Sequence, residues 1–162
     1  MKKLCLLLGC VLFLSGCTAA ETFETITDVY AEQKMVQARQ VRLEIPEEAA
    51  AQAIRSEDGT LYLCDGYEIT LQIMAAGDLN RTMRSLTGFD SDALTMIETG
   101  LTEAARYECV WTAAGEGGDM VGRAVVLDDG AYHYCVTVMA GAEDAGSHRE
   151  TWQKLLDTFS LA

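Results

Sequence analysis

The chain has 162 residues, 49% of them hydrophobic, and its 12 Lys and Arg face 25 Asp and Glu for a formal net charge of −13. That length supports one domain with a real core rather than two. The acidity excludes nucleic acid as a partner, because such affinity rests on neutralising phosphates with basic side chains, and it denies the chain a polybasic grip on anionic lipid.

At the N-terminus Lys2 and Lys3 precede an apolar run over residues 4–14, and Ser15 and Gly16 stand immediately before Cys17. A positive n-region, an apolar h-region and small residues at a cleavage point make a secretory signal. The run is too short for an uncleaved anchor, since a helix needs about 20 apolar residues to cross a bilayer. Leu14-Ser15-Gly16-Cys17 resembles the lipobox of bacterial lipoproteins, whose cysteine becomes the lipidated first residue of the mature chain. The resemblance implies a signal peptide over residues 1–16 and a palmitate-type diacylglycerol on the Cys17 sulfur as the sole bound group. It also implies residence on the extracytoplasmic face of the cell membrane. One acyl chain holds weakly and two hold stably, so the implied modification suffices as the membrane contact. A plain secretory signal with a chance cysteine is the competing reading.

Cleavage would remove two of the basic residues and none of the acidic ones, leaving a mature chain still more acidic. Residues 17–39 read as the lipidated N-terminus and a polar, threonine-rich tether that cannot bury much apolar surface. Phe23, Ile26, Val29 and Tyr30 share one helical face, so a short docking helix competes with the tether. Residues 40–162 read as a single domain.

The domain opens with Val41, Leu43 and Ile45 alternating along a strand that Pro46 ends. Asp58-Gly59 and Asp65-Gly66 are hairpin signals bracketing a strand over residues 60–64, with further strands over 53–57 and 67–75. Asp78 is an N-cap for a helix carrying Leu79, Met83 and Leu86 on one face. Residues 94–98 suit a short strand, although Ser91 can cap a helical turn there, and residues 106–112 form a clearer strand with Tyr107, Cys109 and Trp111 on one side. A glycine-rich connection over residues 115–119 leads into residues 120–127.

A two-residue loop at Asp129-Gly130 pairs Leu127 with Tyr132, Val125 with Tyr134, Arg123 with Val136 and Val121 with Val138. That face is almost wholly apolar. The opposite face, with Val126 by His133, Ala124 by Cys135, Gly122 by Thr137 and Met120 by Met139, is smaller and mixed. Finally, Ser147-His148-Arg149-Glu150 reads as a capping box for a helix presenting Trp152, Leu155, Leu156 and Phe159. The expected fold class is α+β, a mostly antiparallel sheet of hairpins and a meander packed by a middle helix and a C-terminal amphipathic helix. Leu43-Glu44-Ile45-Pro46, Trp152 and Phe159-Ser160 resemble short motifs of the PsbP and Mog1-like sandwich. The family is functionally mixed, so the resemblance implies a fold and no activity.

His133 and Cys135 lie two apart on a strand, so both project from one face, where a soft metal or a thiol nucleophile with its base would place them. A zinc site needs three or four protein ligands and the second imidazole, His148, sits on the last helix. We therefore expect no metal, with His133 and Cys135 filling a shallow, half-buried face opposite Ala124 and Gly122 and standing only as secondary catalytic candidates. Cys64, Cys109 and Cys135 allow at most one internal disulfide. A Cys109 to Cys135 bridge is excluded if a strand separates them, because the span of about 9–10 Å exceeds the roughly 7 Å Cα limit. Asp128-Asp129-Gly130 lacks the ligand pattern of a calcium loop. The aromatic side chains of Tyr107, Trp111, Tyr132 and Tyr134 read as core rather than as a ligand groove.

No complete catalytic constellation emerges, and the reading leans away from an enzyme. It favours a lipid-anchored extracytoplasmic module that binds an envelope protein or small ligand through the sheet's mixed face or its loops. The alternatives are a cell-envelope thiol enzyme or hydrolase centred on Cys135 and His133, and a structural envelope component.

Overall fold

The structure is a computed structural model that describes residues 37–100 and 102–162. The signal, Cys17 and nearly all of the tether lie outside the described residues. Along the chain run β1 (Val41–Arg42), α1 (Glu47–Ala50), β2 (Ile54–Arg55), β3 (Thr60–Leu63), β4 (Glu68–Ala75) and α2 (Leu79–Thr87). A single 3-10 turn, Ser91–Ala93, follows, then β5 (Met96–Gly100), β6 (Ala105–Gly115), β7 (Gly118–Asp128), β8 (Tyr132–Gly141), α3 (Ala145–Thr158) and β9 (Ser160–Leu161). The main sheet has the order β2-β3-β4-β8-β7-β6-β5, and β1 with β9 makes a separate ribbon. Every pairing is antiparallel. The fold class is α+β, as the hairpin signals and the two amphipathic helices require.

Because side chains alternate along a strand, each face of the sheet builds its own core. One face carries Ile69, Val125, Leu127, Tyr134, Val136 and Val138 against Trp152, Leu155 and Leu156 of α3 and the adjoining Phe159. The other carries Cys109, Trp111, Ala124, Val126 and Cys135 against Met83 of α2, with Leu79 and Leu86 beside it. In α2 the Asp78 carboxylate accepts the Asn80 N–H at 3.0 Å, and Gly88 closes the helix at φ +81°, a conformation glycine adopts without steric cost.

Packing also reaches back along the chain. Ala38 packs on the α3-side core and the Arg39 N–H donates to the Tyr134 hydroxyl at 2.8 Å, so the folded body takes in two residues that precede position 40. Val41, Leu43 and Ile45 all lean on that core. Only Val41 and Arg42 of this stretch pair as strand, with Leu161 and Ser160, and Pro46 then leads into α1.

The three Asp-Gly pairs occupy their turns at three different phases. Asp65-Gly66 is the two-residue loop the sequence suggests, with Cys64 N–H donating to the Tyr67 carbonyl and only Gly66 at positive φ, +76°. In the turn before β3, the Ser56 N–H donates to the Gly59 carbonyl, which leaves Glu57 and Asp58 as the central residues. The β7–β8 turn differs from expectation by a two-residue step, since Leu127 faces Tyr134, Val125 faces Val136 and Arg123 faces Val138.

The cause is Asp129. Its carboxylate accepts the N–H groups of Ala131 at 2.9 Å and Tyr132 at 2.7 Å, and the Tyr134 hydroxyl at 2.9 Å. It thus caps the turn from outside the tip, and Gly130, at φ +86°, takes the first central position instead. Burial alone would raise the Asp129 carboxyl, but these hydrogen bonds and nearby Arg39 outweigh it and hold the group below its ordinary value. A shift by two preserves the faces, so the expected division into apolar and mixed faces stands.

The expected capping box at Ser147 is corrected. Helix α3 begins at Ala145, and the Ser147 hydroxyl donates to the Asp144 carbonyl at 2.7 Å rather than capping N–H groups. Ala145, only 9% exposed, joins the α3-side core and so draws the first turn further toward the N-terminus. At its other end Arg106 of β6 donates to the carbonyls of Leu156 at 3.0 Å and Phe159 at 3.2 Å. A cation there satisfies the last orphan carbonyls and complements the helix dipole.

The glycine at 122 has a packing reason. A Cβ there would lie 2.3 Å from Cζ2 of Trp111, whose ring covers the backbone of the neighbouring strand. In an open strand Gly→Ala stabilises by removing chain entropy; here Gly122→Ala is expected to destabilise the domain by about 1–3 kcal/mol through overpacking. Urea unfolding of the two proteins measures the difference, and an unchanged or raised midpoint would contradict the packing account.

Candidate functional site

Strand β8 does place His133 and Cys135 on one face, and both positions are sealed. Both residues are 0% exposed, because α2 lies over the small side chains at this part of the sheet. His133 Nδ1 is 2.7 Å from the Thr82 hydroxyl of α2. Its Nε2 is buried without a hydrogen bond, and the Asp128 carboxylate, at 3.5 Å, supplies an electrostatic neighbour rather than an aligned acceptor.

Burial pushes the Cys135 thiol up to about 12 and the Cys109 thiol up to about 11. A thiol in that state is protonated at neutral pH, the opposite of what a nucleophile needs. Cys109 faces Ala124 and Cys135 faces Val126 across β7, so a strand stands between the two sulfurs. Among the described residues no cluster of three or more His, Cys, Asp or Glu can hold a metal ion. Trp111 and Tyr134 are buried, and Tyr107 and Tyr132 pack at the margins of the two cores, so the aromatic residues are core. The part of the mixed face that holds His133 and Cys135 is therefore closed by α2, while Met120, Thr137 and Met139 of the same face stay partly exposed.

The open surface lies on the other side of the sheet. Helix α3 packs over β8, at the middle of a seven-stranded sheet, and a single helix about 10 Å wide cannot also cover β6 and β5. Val110 of β6 and Ile97 of β5 consequently remain 55% and 63% exposed.

Between this strip and the N-terminal half of α3 is a cavity of about 480 Å³. Its sheet side is Val110, Val121 and Arg123, and its helix side includes Ala145, Arg149, Trp152 and Gln153. A smaller cleft of about 180 Å³ on Ile97 and Glu108 shares Val110 and Arg123 with it. Volumes of this order suit small ligands.

The charges of the cavity are unusual for so acidic a chain. Arg123 donates from Nη2 to Gln153 Oε1 at 3.0 Å, and the amide nitrogen of Gln153 donates in turn to Asp157 at 2.7 Å, so the guanidinium is oriented from the helix. Its carboxylate neighbour, Glu108, is 3.8 Å away and makes its close contact, 2.7 Å, with Arg106. Arg149 has no carboxylate partner among the described residues. The indole N–H of Trp152, a residue 2% exposed, is buried without an acceptor.

Sequence reasoning missed this site, yet a signal for it was present. Arg123 is the one charged residue in the apolar series Val121, Arg123, Val125 and Leu127, and a cation on a core-facing row marks either a buried partner or an opening. Arg149 was absorbed into the supposed capping box.

No protein-family model matches the chain, and neither does any curated protein. Solved structures do match. LpqN, involved in cell envelope biogenesis of Mycobacterium tuberculosis, is 9% identical with a TM-score of 0.52, over 77% of this chain and 84% of that one. The solution structure of cyanobacterial PsbP from Synechocystis sp. PCC 6803 is 8% identical with a TM-score of 0.50, over 78% of this chain and 95% of that one. A protein of unknown function from Pseudomonas aeruginosa is 14% identical with a TM-score of 0.48, over 68% and 96% of the two chains. The first two likenesses establish a PsbP-like fold, in agreement with the resemblance drawn from the sequence.

The raised thiols carry a pH signature. Since their folded values of about 11 and about 12 exceed the ordinary thiol value of about 8.5, their contribution is complete below that pH and is lost as pH rises through the folded values. Each thiol is expected to remove about 1.4 kcal/mol per pH unit across that window. Unfolding free energies between pH 8 and pH 10.5 should therefore fall less steeply for Cys135→Ala than for the unaltered chain, and parallel slopes would contradict the burial.

Proposed function

We propose that this chain is a lipid-anchored, non-enzymatic binding module on the extracytoplasmic face of the cell membrane, and that it takes its ligand or envelope partner in the groove between α3 and β6–β7. The observation that carries the binding reading is the cavity itself: an apolar wall on Val110 and Val121 with Arg123 and Arg149 at its edge. Binding sites combine an apolar lining with a few placed polar groups in this way. The sequence Leu14-Ser15-Gly16-Cys17 behind an apolar run supports the anchor, with the lipid on Cys17 as the membrane contact. The envelope setting also draws support from the shared fold of LpqN, a protein of cell envelope biogenesis. No helix among the described residues is long and apolar enough to cross a membrane, so within them an acyl anchor has no helical competitor.

The buried thiol and imidazole oppose the thiol-enzyme alternative, because Cys135 can reach substrate only if the α2 layer opens. Fractionation of cells producing the chain tests the anchor. The native product is expected in the membrane fraction with acyl mass on an N-terminal Cys17, and Cys17→Ser is expected to be released or left unprocessed. Membrane retention of a fully processed Cys17→Ser product would overturn the proposal.

A further inference from the structure

Resting on the groove reading just given, we infer that the cavity beside α3 is a site for a small amphipathic carboxylate, an anionic head on a short apolar body. The charged groups at the cavity are of one sign. Arg123 and Arg149 bring guanidinium donors, and Trp152 lines the wall with its indole N–H buried beneath the surface. A guanidinium cannot accept a hydrogen bond, so the charged groups of the lining define a ligand head that accepts. Gln153 turns its oxygen toward Arg123 and its nitrogen toward Asp157, so it orients the guanidinium.

Charge narrows the class. The chain carries −13, which repels anions in general, whereas the cavity gathers two of its few cations. One of them, Arg149, has no ion pair among the described residues, and the other has its carboxylate neighbour at 3.8 Å. A cationic ligand is disfavoured by both guanidinium groups. A guanidinium fork matches the two oxygens of one carboxylate.

The rest of the lining sets the body. Val110, Val121 and Ala145 offer no hydrogen bonds, and a bare inorganic anion would leave that wall wet. A cavity of about 480 Å³ has room for a short alkyl or aryl group attached to the head. The exposed side chain of Val110 would be covered by it.

The test uses the full chain in phosphatidylcholine vesicles, titrated with 6-bromohexanoate, whose bromine quenches indole fluorescence on contact. The chain has two tryptophans. Trp152 lines the cavity and Trp111 packs in the core on the opposite side of the sheet. Saturable quenching is expected for the unaltered chain and not for Trp152→Phe, which retains Trp111. Arg149→Gln, at an exposed helix position, is expected to weaken the midpoint about tenfold, the effect of losing one charge-assisted hydrogen bond.

The neutral isostere 6-bromohexanol, measured on the unaltered chain, is expected to give no saturation over the same range. This arm decides without any variant having to fold. Equal saturation by the alcohol and the acid would leave a binding groove but overturn the carboxylate assignment. Absence of saturation by both would overturn the assignment together with the groove.

Discussion

Strands β7 and β8 lie between two cores at once, and the rest of the domain is arranged around that constraint. Ala124, Val125, Val126 and Leu127 are all buried although successive residues point to opposite sides. No position along this stretch can be given to solvent. The two sides also differ in what they accept, because one receives the large side chains of α3 and the other must stay thin enough for Trp111 to lie flat on Gly122. A slip of one residue would exchange the two sets and is forbidden by sterics on both sides. A slip of two is sterically permitted, and there the Asp129 carboxylate decides the register by binding the turn's N–H groups and the Tyr134 hydroxyl together.

This hierarchy explains what could be read from the sequence. Face assignments depend only on alternation, so the two faces were legible, Val125 and Leu127 on the heavier and Ala124 and Cys135 on the smaller, with Leu79, Met83 and Leu86 as one helical row, whereas the helix that covers each face was not. Turn phase depends on which group wins a local hydrogen bond, and three identical Asp-Gly pairs found three outcomes because their surroundings differ. The start of α3 was likewise misplaced, since Ser147 can cap a helix in isolation but burial of Ala145 extends the helix past it. The groove was the least legible part. It arises from the width of a seven-stranded sheet against one helix, and strand order is not written in any single stretch of sequence.

Function follows from the same mismatch of widths. The side of the sheet facing α2 is closed by a helix packed over small residues, which turns His133 and Cys135 into structural groups held by Thr82 and by burial. The side facing α3 is closed only along its centre. What remains open there is partly apolar and carries cations that the sheet and helix do not fully neutralise. Arg106 and Arg123 sit on neighbouring strands of this side and have different roles: Arg106 is spent on the carbonyl end of α3, and Arg123 is turned toward the cavity by Gln153.

The placement of the thiols has a consequence for the compartment in which the chain works. Cys64 belongs to the α3-side core, whereas Cys109 and Cys135 belong to the α2-side core with β7 between them. A sheet separates the first from the other two, and a strand separates those two from each other, so none of the three sulfurs can meet another while the layers are intact. An oxidising compartment would therefore not crosslink these three thiols to one another in the folded domain.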